Sequence, residues 1–108
     1  MAKRRKRHMN FGATSEVHER EAERALEWAK KNVRAANDAL DEGNCQDTIA
    51  TMLNVRRELG VVHGHLTGMA ASARKTEMTK QHDAIDLELF KVVRDLYKDC
   101  KIPLKAGR

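Results

Sequence analysis

Aromatic residues and proline are scarce in this sequence. Four of the 108 residues are aromatic, and Pro103 is the single proline. Valine and isoleucine are scattered rather than alternating in short runs, so the pattern typical of β-strands is missing. Alanine, leucine, glutamate, lysine and arginine dominate instead, as they do in helical proteins. The chain is therefore expected to form one all-α domain.

Long apolar runs are also missing. No stretch of about 18 apolar residues occurs, so no membrane span is expected. The basic start is not followed by an apolar segment, which argues against a secretory signal peptide. We therefore expect a cytoplasmic protein in which Cys45 and Cys100 are both reduced. A disulfide between them in an assembled extracellular particle is the alternative.

Positive charge is concentrated at the start of the chain. The first eight residues contain Lys3, Arg4, Arg5, Lys6 and Arg7 and no acid, whereas residues 9–100 contain 13 basic and 16 acidic residues. Residues 1–13 show no apolar periodicity and are predicted to form a basic N-terminal arm. Such a cluster can bind several phosphates or an acidic protein surface, with little sequence specificity.

The first helix is predicted over residues 15–42, with Thr14 or Ser15 as its cap. Its apolar residues recur at steps of three and four and form a face that is mostly alanine. The members of this face are Ala22, Ala25, Leu26, Ala29, Val33, Ala36, Ala39 and Leu40. Gly43 can then take the left-handed conformation, and Asn44 can cap the next helix. So short a connection predicts an antiparallel helical hairpin.

The second helix is predicted over residues 45–74. Its inner side is expected to comprise Ile49, Met52, Leu53, Arg56, Leu59, Gly60, His63, Leu66, Thr67 and Ala70. Gly60, Gly64 and Gly68 recur every four residues and form a stripe along the helix. Each glycine inside a helix destabilises that helix by about 1 kcal/mol relative to alanine. Three glycines in one helix therefore indicate that a neighbouring helix approaches their backbone closely. We expect the alanine face of the first helix to pack closely on this stripe. A self-association seam between two chains is the alternative.

The third helix is predicted over residues 77–101, with Thr76 or Thr79 as its cap. Its inner residues again step by three and four: Met78, His82, Ile85, Leu89, Val92, Val93, Leu96 and Cys100. Pro103 disfavours helix at the residue before it. Residues 14–102 are thus expected to form a three-helix up-down-up bundle, followed by a tail over residues 103–108. The alternative is one continuous helix over residues 45–101.

No residue pattern indicates catalysis, a cofactor or a metal site. His63 and His65 point to different sides of a helix, and the other histidines are scattered in sequence. His63 is expected to lie buried and hydrogen-bonded in the helix seam. The chain has no Cys-x-x-Cys and no His-Glu-x-x-His motif. The sequence therefore predicts a protein that is not an enzyme and holds no metal.

Three stretches within residues 1–66 carry a resemblance to a known class of proteins. They are the basic start Lys3-Arg4-Arg5-Lys6-Arg7-His8, the turn Glu42-Gly43-Asn44-Cys45, and Arg57-Glu58-Leu59-Gly60 with His63 and His65. Together they resemble small helical proteins encoded by tailed bacteriophages. That resemblance implies a virion or packaging component, or a protein of unassigned role, and it implies no catalytic residue.

The sequence thus predicts a non-enzymatic interaction protein of a larger assembly, cytoplasmic or incorporated into a virion. Its basic arm is expected to contact nucleic acid or an acidic surface. The alternative is a small regulator or inhibitor that binds a partner protein through a helical face. A homo-oligomer is compatible with either function.

Overall fold

The computed structural model describes residues 14–101, and these residues form three α-helices. α1 spans Ser15–Asp41, α2 spans Cys45–Thr67 and α3 spans Ala73–Cys100. Each helix packs against the other two, so the predicted all-α three-helix bundle is confirmed. The predicted basic arm, residues 1–13, and the predicted tail, residues 103–108, lie outside the described residues.

Small and aliphatic side chains build the core. The buried residues of α1 are Ala22, Ala25, Leu26, Ala29, Val33, Ala36 and Leu40. The predicted face of α1 is therefore confirmed, except that Ala39 is only half-buried. α3 contributes Met78, Ile85, Leu89, Val92 and Leu96, all of which were predicted. Within residues 14–101 the core contains no aromatic side chain.

The turn between α1 and α2 has the predicted geometry. Gly43 has a φ of 79°, which an L-residue with a side chain adopts only at a cost. The Asn44 side chain accepts a hydrogen bond of 3.1 Å from the Asp47 amide and caps α2. Gly43 and Asn44 together therefore fix the hairpin. At the start of α1, Thr14 is the cap, and its side chain accepts from the Val17 amide at 3.2 Å.

The buried face of α2 differs from the predicted one. Its buried residues are Thr48, Val55, Leu59, Val62 and Leu66. Leu53, Arg56 and His63, all predicted to point inward, are exposed. The predicted inner face was the side of α2 that carries the glycine stripe. The observed inner face carries valine and leucine instead, and burying these larger side chains removes more apolar surface from water. Thr48 can join that face because its hydroxyl donates to the Asn44 carbonyl at 2.8 Å.

α2 ends at Thr67, seven residues before its predicted end, and the continuous helix over residues 45–101 is therefore wrong. The Met69 amide donates to the Leu66 carbonyl at 3.1 Å, which turns the chain while the Met69 side chain stays in the core. α3 then begins at Ala73 rather than residue 77. Ser72 caps it by accepting from the Lys75 amide at 3.1 Å, so neither predicted threonine is the cap.

A disulfide joins Cys45, the first residue of α2, to Cys100, the last residue of α3. Their Cα atoms are 6.2 Å apart, within the range that disulfides span. The expectation that both cysteines are reduced is therefore wrong. In an up-down-up bundle the start of α2 and the end of α3 lie at the same end, which brings the two cysteines together.

The predicted close approach to the glycine stripe is wrong for two of its three members. A Cβ added at Gly60 or Gly64 would meet no atom within 4 Å, and both residues are exposed. At Gly68 a Cβ would lie 2.6 Å from the His18 ring. Only Gly68 therefore needs its bare backbone for packing. The alternative, that Gly60 and Gly64 lie in a self-association seam between two chains, stays a prediction.

Because the glycines have different surroundings, four Gly→Ala substitutions are expected to change the free energy of unfolding in different directions. Gly60→Ala and Gly64→Ala should each raise the free energy of unfolding by up to about 1 kcal/mol, because alanine favours helix and fits the open space. Gly68→Ala should lower it by about 1–3 kcal/mol, since the His18 ring must move. Gly43→Ala should lower it by about 1–2 kcal/mol through its positive φ. Urea unfolding measures all four, and a loss at Gly64→Ala matching that at Gly68→Ala would contradict this packing.

Candidate interaction surface

The predicted binding residues Lys3, Arg4, Arg5, Lys6 and Arg7 lie outside the described residues. The described helices offer a different candidate. Five large apolar side chains on α2 and α3 are exposed to solvent. Four of them are Leu53 (59%), Leu87 (57%), Phe90 (63%) and Tyr97 (39%), and the fifth is Val61 (41%), eight residues after Leu53. We call Leu53, Leu87, Phe90 and Tyr97 the α2–α3 apolar surface.

Helical periodicity aligns the α3 members of this surface. Leu87, Phe90 and Tyr97 follow one another at steps of three and seven, so they lie along one side of α3. Leu89 and Val92, which are buried, lie on the other side. α3 is therefore apolar on two sides, and only one of them is covered by α1 and α2.

Two pairs of residues fix the register between α2 and α3. The disulfide joins Cys45 to Cys100, and the ring centroids of His63 and His82 are 6.3 Å apart. Cys45 and His63 are 18 residues apart on α2, and His82 and Cys100 are 18 residues apart on α3. The antiparallel register of the two helices is therefore constant between the two pairs. It sets Phe90 opposite Val55, midway between the two pairs and close to the level of Leu53. The apolar side chains of the two helices thus lie at the same height of the bundle.

Basic residues surround this surface. On α3, Lys91 and Arg94 lie one turn from Leu87 or Phe90, Lys98 directly follows Tyr97, and all three basic residues are exposed. On α2, the exposed Arg56 and Arg57 follow Leu53 by one turn. Asp83 and Asp86 lie one turn before the α3 members, and Asp95 pairs with Arg94 at 3.4 Å. The surface therefore combines apolar side chains with an excess of positive charge.

The sequence carried a signal for this surface that the sequence analysis did not use. Once the inner face of α3 is assigned, Leu87, Phe90 and Tyr97 stand off that face at helical spacing. Three large apolar residues in register on a side that is not needed for the core indicate a binding surface. Leu53 could not be found in this way, because its helix was assigned the wrong inner face.

At the end of the bundle opposite the disulfide, polar contacts join the helices at the surface. The Arg74 guanidinium lies 3.5 Å from a Glu19 carboxylate oxygen, 3.1 Å from Glu23 and 3.1 Å from Glu77. The Ala70 amide also donates to the Ser15 hydroxyl at 2.9 Å. These contacts attach the start of α3 to the start of α1. The ion pairs are largely exposed, so each stabilises the fold only slightly.

Two histidine pairs form between helices, although the histidines are scattered in sequence. The Nδ1 atoms of His18 on α1 and His65 on α2 are 3.0 Å apart, and both side chains are partly buried. His82 pairs with the Asp83 carboxylate at 3.1 Å, and its ring lies near that of His63. His63 itself is exposed, so its predicted burial in the seam is wrong.

Residues 14–101 offer neither a metal-binding cluster nor a membrane span. No three or more side chains of His, Cys, Asp or Glu lie together in this part of the chain as they would to enclose a metal ion. None of the three helices is long and apolar enough to cross a membrane.

Comparison with known proteins leaves the interpretation to these residues. No protein-family model matches the chain, no curated protein matches its sequence, and no solved structure matches its fold.

Proposed function

We propose that this protein is a non-enzymatic helical interaction protein that binds a partner protein on its α2–α3 apolar surface. The observation that carries this proposal is the exposure of Leu53, Leu87 and Phe90, each more than half open to water. Large apolar side chains gathered on one side of a small domain are typical of binding surfaces. Full burial of such a side chain contributes about 1.5–3 kcal/mol, which favours a partner that covers them.

Charge complementarity defines the chemistry of that partner. Arg56, Arg57, Lys91, Arg94 and Lys98 surround the apolar residues, so a basic partner would be repelled. An amphipathic helix with leucine-like residues on one face and acids on its flanks satisfies both requirements. Helices commonly bind in this way, with anchors at steps of three and four in an apolar groove.

The basic arm has a separate part in this proposal. Lys3, Arg4, Arg5, Lys6 and Arg7 concentrate five charges, while residues 9–100 have three more acids than bases. The arm is proposed to contact nucleic acid or an acidic surface of a larger assembly. The resemblance to tailed-phage proteins supports a virion as that assembly.

A small regulator or inhibitor is the second candidate. It would use the same α2–α3 apolar surface, with the arm dispensable. Binding that survives about 0.5 M salt favours this candidate, because screening at that ionic strength leaves few surface charges effective.

The apolar surface is tested with an amphipathic helical peptide of about 20 residues that carries leucines on one face and glutamates on its flanks. It should bind the full chain, and Leu87→Ser/Phe90→Ser should weaken binding at least about tenfold, since roughly 1.4 kcal/mol of lost burial suffices. Fluorescence anisotropy gives the dissociation constant. The free energy of unfolding should change by less than about 0.5 kcal/mol per substitution, because both residues are exposed.

Two controls make this test specific. Trp28→Ser removes an aromatic side chain on α1 that is 38% exposed, and it should leave peptide binding unchanged. A peptide with the same leucines and lysine flanks should bind more weakly than the acidic one. Equal binding of the two peptides, or an equal loss with Trp28→Ser, would contradict the proposed surface.

The arm is tested by gel shift with duplex DNA. Binding of the full chain should fall with salt with a logarithmic slope of up to about −4.5, if the five charges neutralise five phosphates. Removal of residues 1–8 should abolish the shift and leave the helical circular dichroism unchanged. A shortened chain that shifts DNA as well as the full chain would show that the arm is not the contact.

A further inference from the structure

The Cys45–Cys100 disulfide connects the C-terminal end of α3 to the rest of the bundle, since it joins the last residue of α3 to the first residue of α2. From this placement we propose that the disulfide is a redox-controlled latch. Its reduction by a low-molecular-weight thiol frees the last turn of α3, with Tyr97, and weakens partner binding at the α2–α3 apolar surface. The effect on binding rests on the proposed function, whereas the release of the helix end does not.

Polar contacts attach α3 to its surroundings only at its start. Arg74 pairs with Glu19 at 3.5 Å and with Glu23 at 3.1 Å, and the Lys75 ammonium donates to the Met69 carbonyl at 3.2 Å. Within residues 14–101, the side-chain hydrogen bonds and ion pairs of the second half of α3 stay inside that helix. The end of α3 is therefore held by the disulfide and by apolar packing.

The apolar packing becomes weak in the last turn of α3. Leu96 is the last buried residue of the helix, and Tyr97, Lys98 and Asp99 are all exposed. The last carbonyl groups of a helix have no partners within it, so an end that is not held elsewhere frays. After reduction, the last turn keeps only the half-buried side chain of Cys100, while Leu96 and the buried residues before it hold the rest of α3.

The turn that would be freed carries one member of the α2–α3 apolar surface. Tyr97 precedes Cys100 by three residues, so the two side chains lie on the same side of α3. Leu87 and Phe90 lie at least ten residues before Cys100. Fraying of the last turn therefore removes Tyr97 from the surface and leaves Leu87 and Phe90 in place.

The disulfide is open to a small thiol, because Cys45 and Cys100 are both only partly buried. A thiolate such as that of glutathione attacks one sulfur, forms a mixed disulfide with it and releases the other cysteine as a thiolate. A second glutathione displaces the first cysteine and leaves as glutathione disulfide. The protein gains two electrons and two protons, and glutathione disulfide reverses the exchange.

The latch is tested by titrating the full chain with the acidic helical peptide, with and without excess dithiothreitol. Reduction should lower the peptide affinity about tenfold, as the lost burial of one large side chain does. Oxidised glutathione should restore it. Cys45→Ser/Cys100→Ser should bind like the reduced chain and should not respond to dithiothreitol. Equal affinities of the oxidised and reduced chains would overturn the latch and leave the proposed function intact.

Two variants show whether the effect passes through Tyr97. In the oxidised chain, Tyr97→Ser should lower the affinity about tenfold, and reduction should then change it less than about twofold, since the two changes remove the same contact. Leu87→Ser is the matched control. It should lower the affinity as well but keep the tenfold response to reduction. A full response in Tyr97→Ser would contradict the release of the last turn.

NMR relaxation tests the release of the helix end without a peptide. On reduction, the order parameters of the amides of residues 97–100 should fall from about 0.85 to below about 0.6, and those near Ile85 should stay near 0.85. Unchanged values in the last turn would overturn the latch. Loss of the helical circular dichroism of the whole chain would also overturn it, because the disulfide would then hold the entire fold. If the peptide binds neither form, the partner surface is wrong, while a freed last turn still supports the latch.

Discussion

The alanine face of α1 is the constraint on which the rest of the structure depends. Ala22, Ala29 and Ala36 are completely buried, and Ala25 is nearly so. Small side chains at these positions allow α2 to pack close to α1, because the distance between helix axes follows the size of the residues at the contact. The core takes valine, leucine, isoleucine and methionine from the rest of the bundle but no aromatic side chain of the described residues.

Phe90, Tyr97 and Leu87 lie outside the core, on a side of α3 that neither α1 nor α2 covers. The disulfide joins α3 to α2 at one end, and the buried residues of α3 hold it on the hairpin along its length. The proposed partner surface is therefore held on rigid helices rather than on loops, so little ordering entropy opposes binding.

Prediction from the sequence succeeded where one signal acted alone. The apolar steps of α1 and α3, and the turn at Gly43 and Asn44, gave correct faces and a correct hairpin. α2 failed because two signals competed: the glycine stripe suggested one inner face, and the branched residues from Val55 to Leu66 formed the true one. The disulfide was missed because the expected compartment, rather than the geometry, decided the state of the cysteines. The His18–His65 pair was missed because it depends on which side of α2 faces α1, and the inner face of α2 was assigned wrongly.

The narrow alanine seam is tested most directly by enlarging it at one residue. Ala29 has no exposed surface, while Ala35 on the same helix is exposed. Urea unfolding of Ala29→Leu should show a loss of about 1–3 kcal/mol in the free energy of unfolding, because the close-packed seam has no room for the added atoms. Ala35→Leu should change that free energy by less than about 0.5 kcal/mol. An Ala29→Leu protein as stable as the parent chain would contradict the close-packed seam.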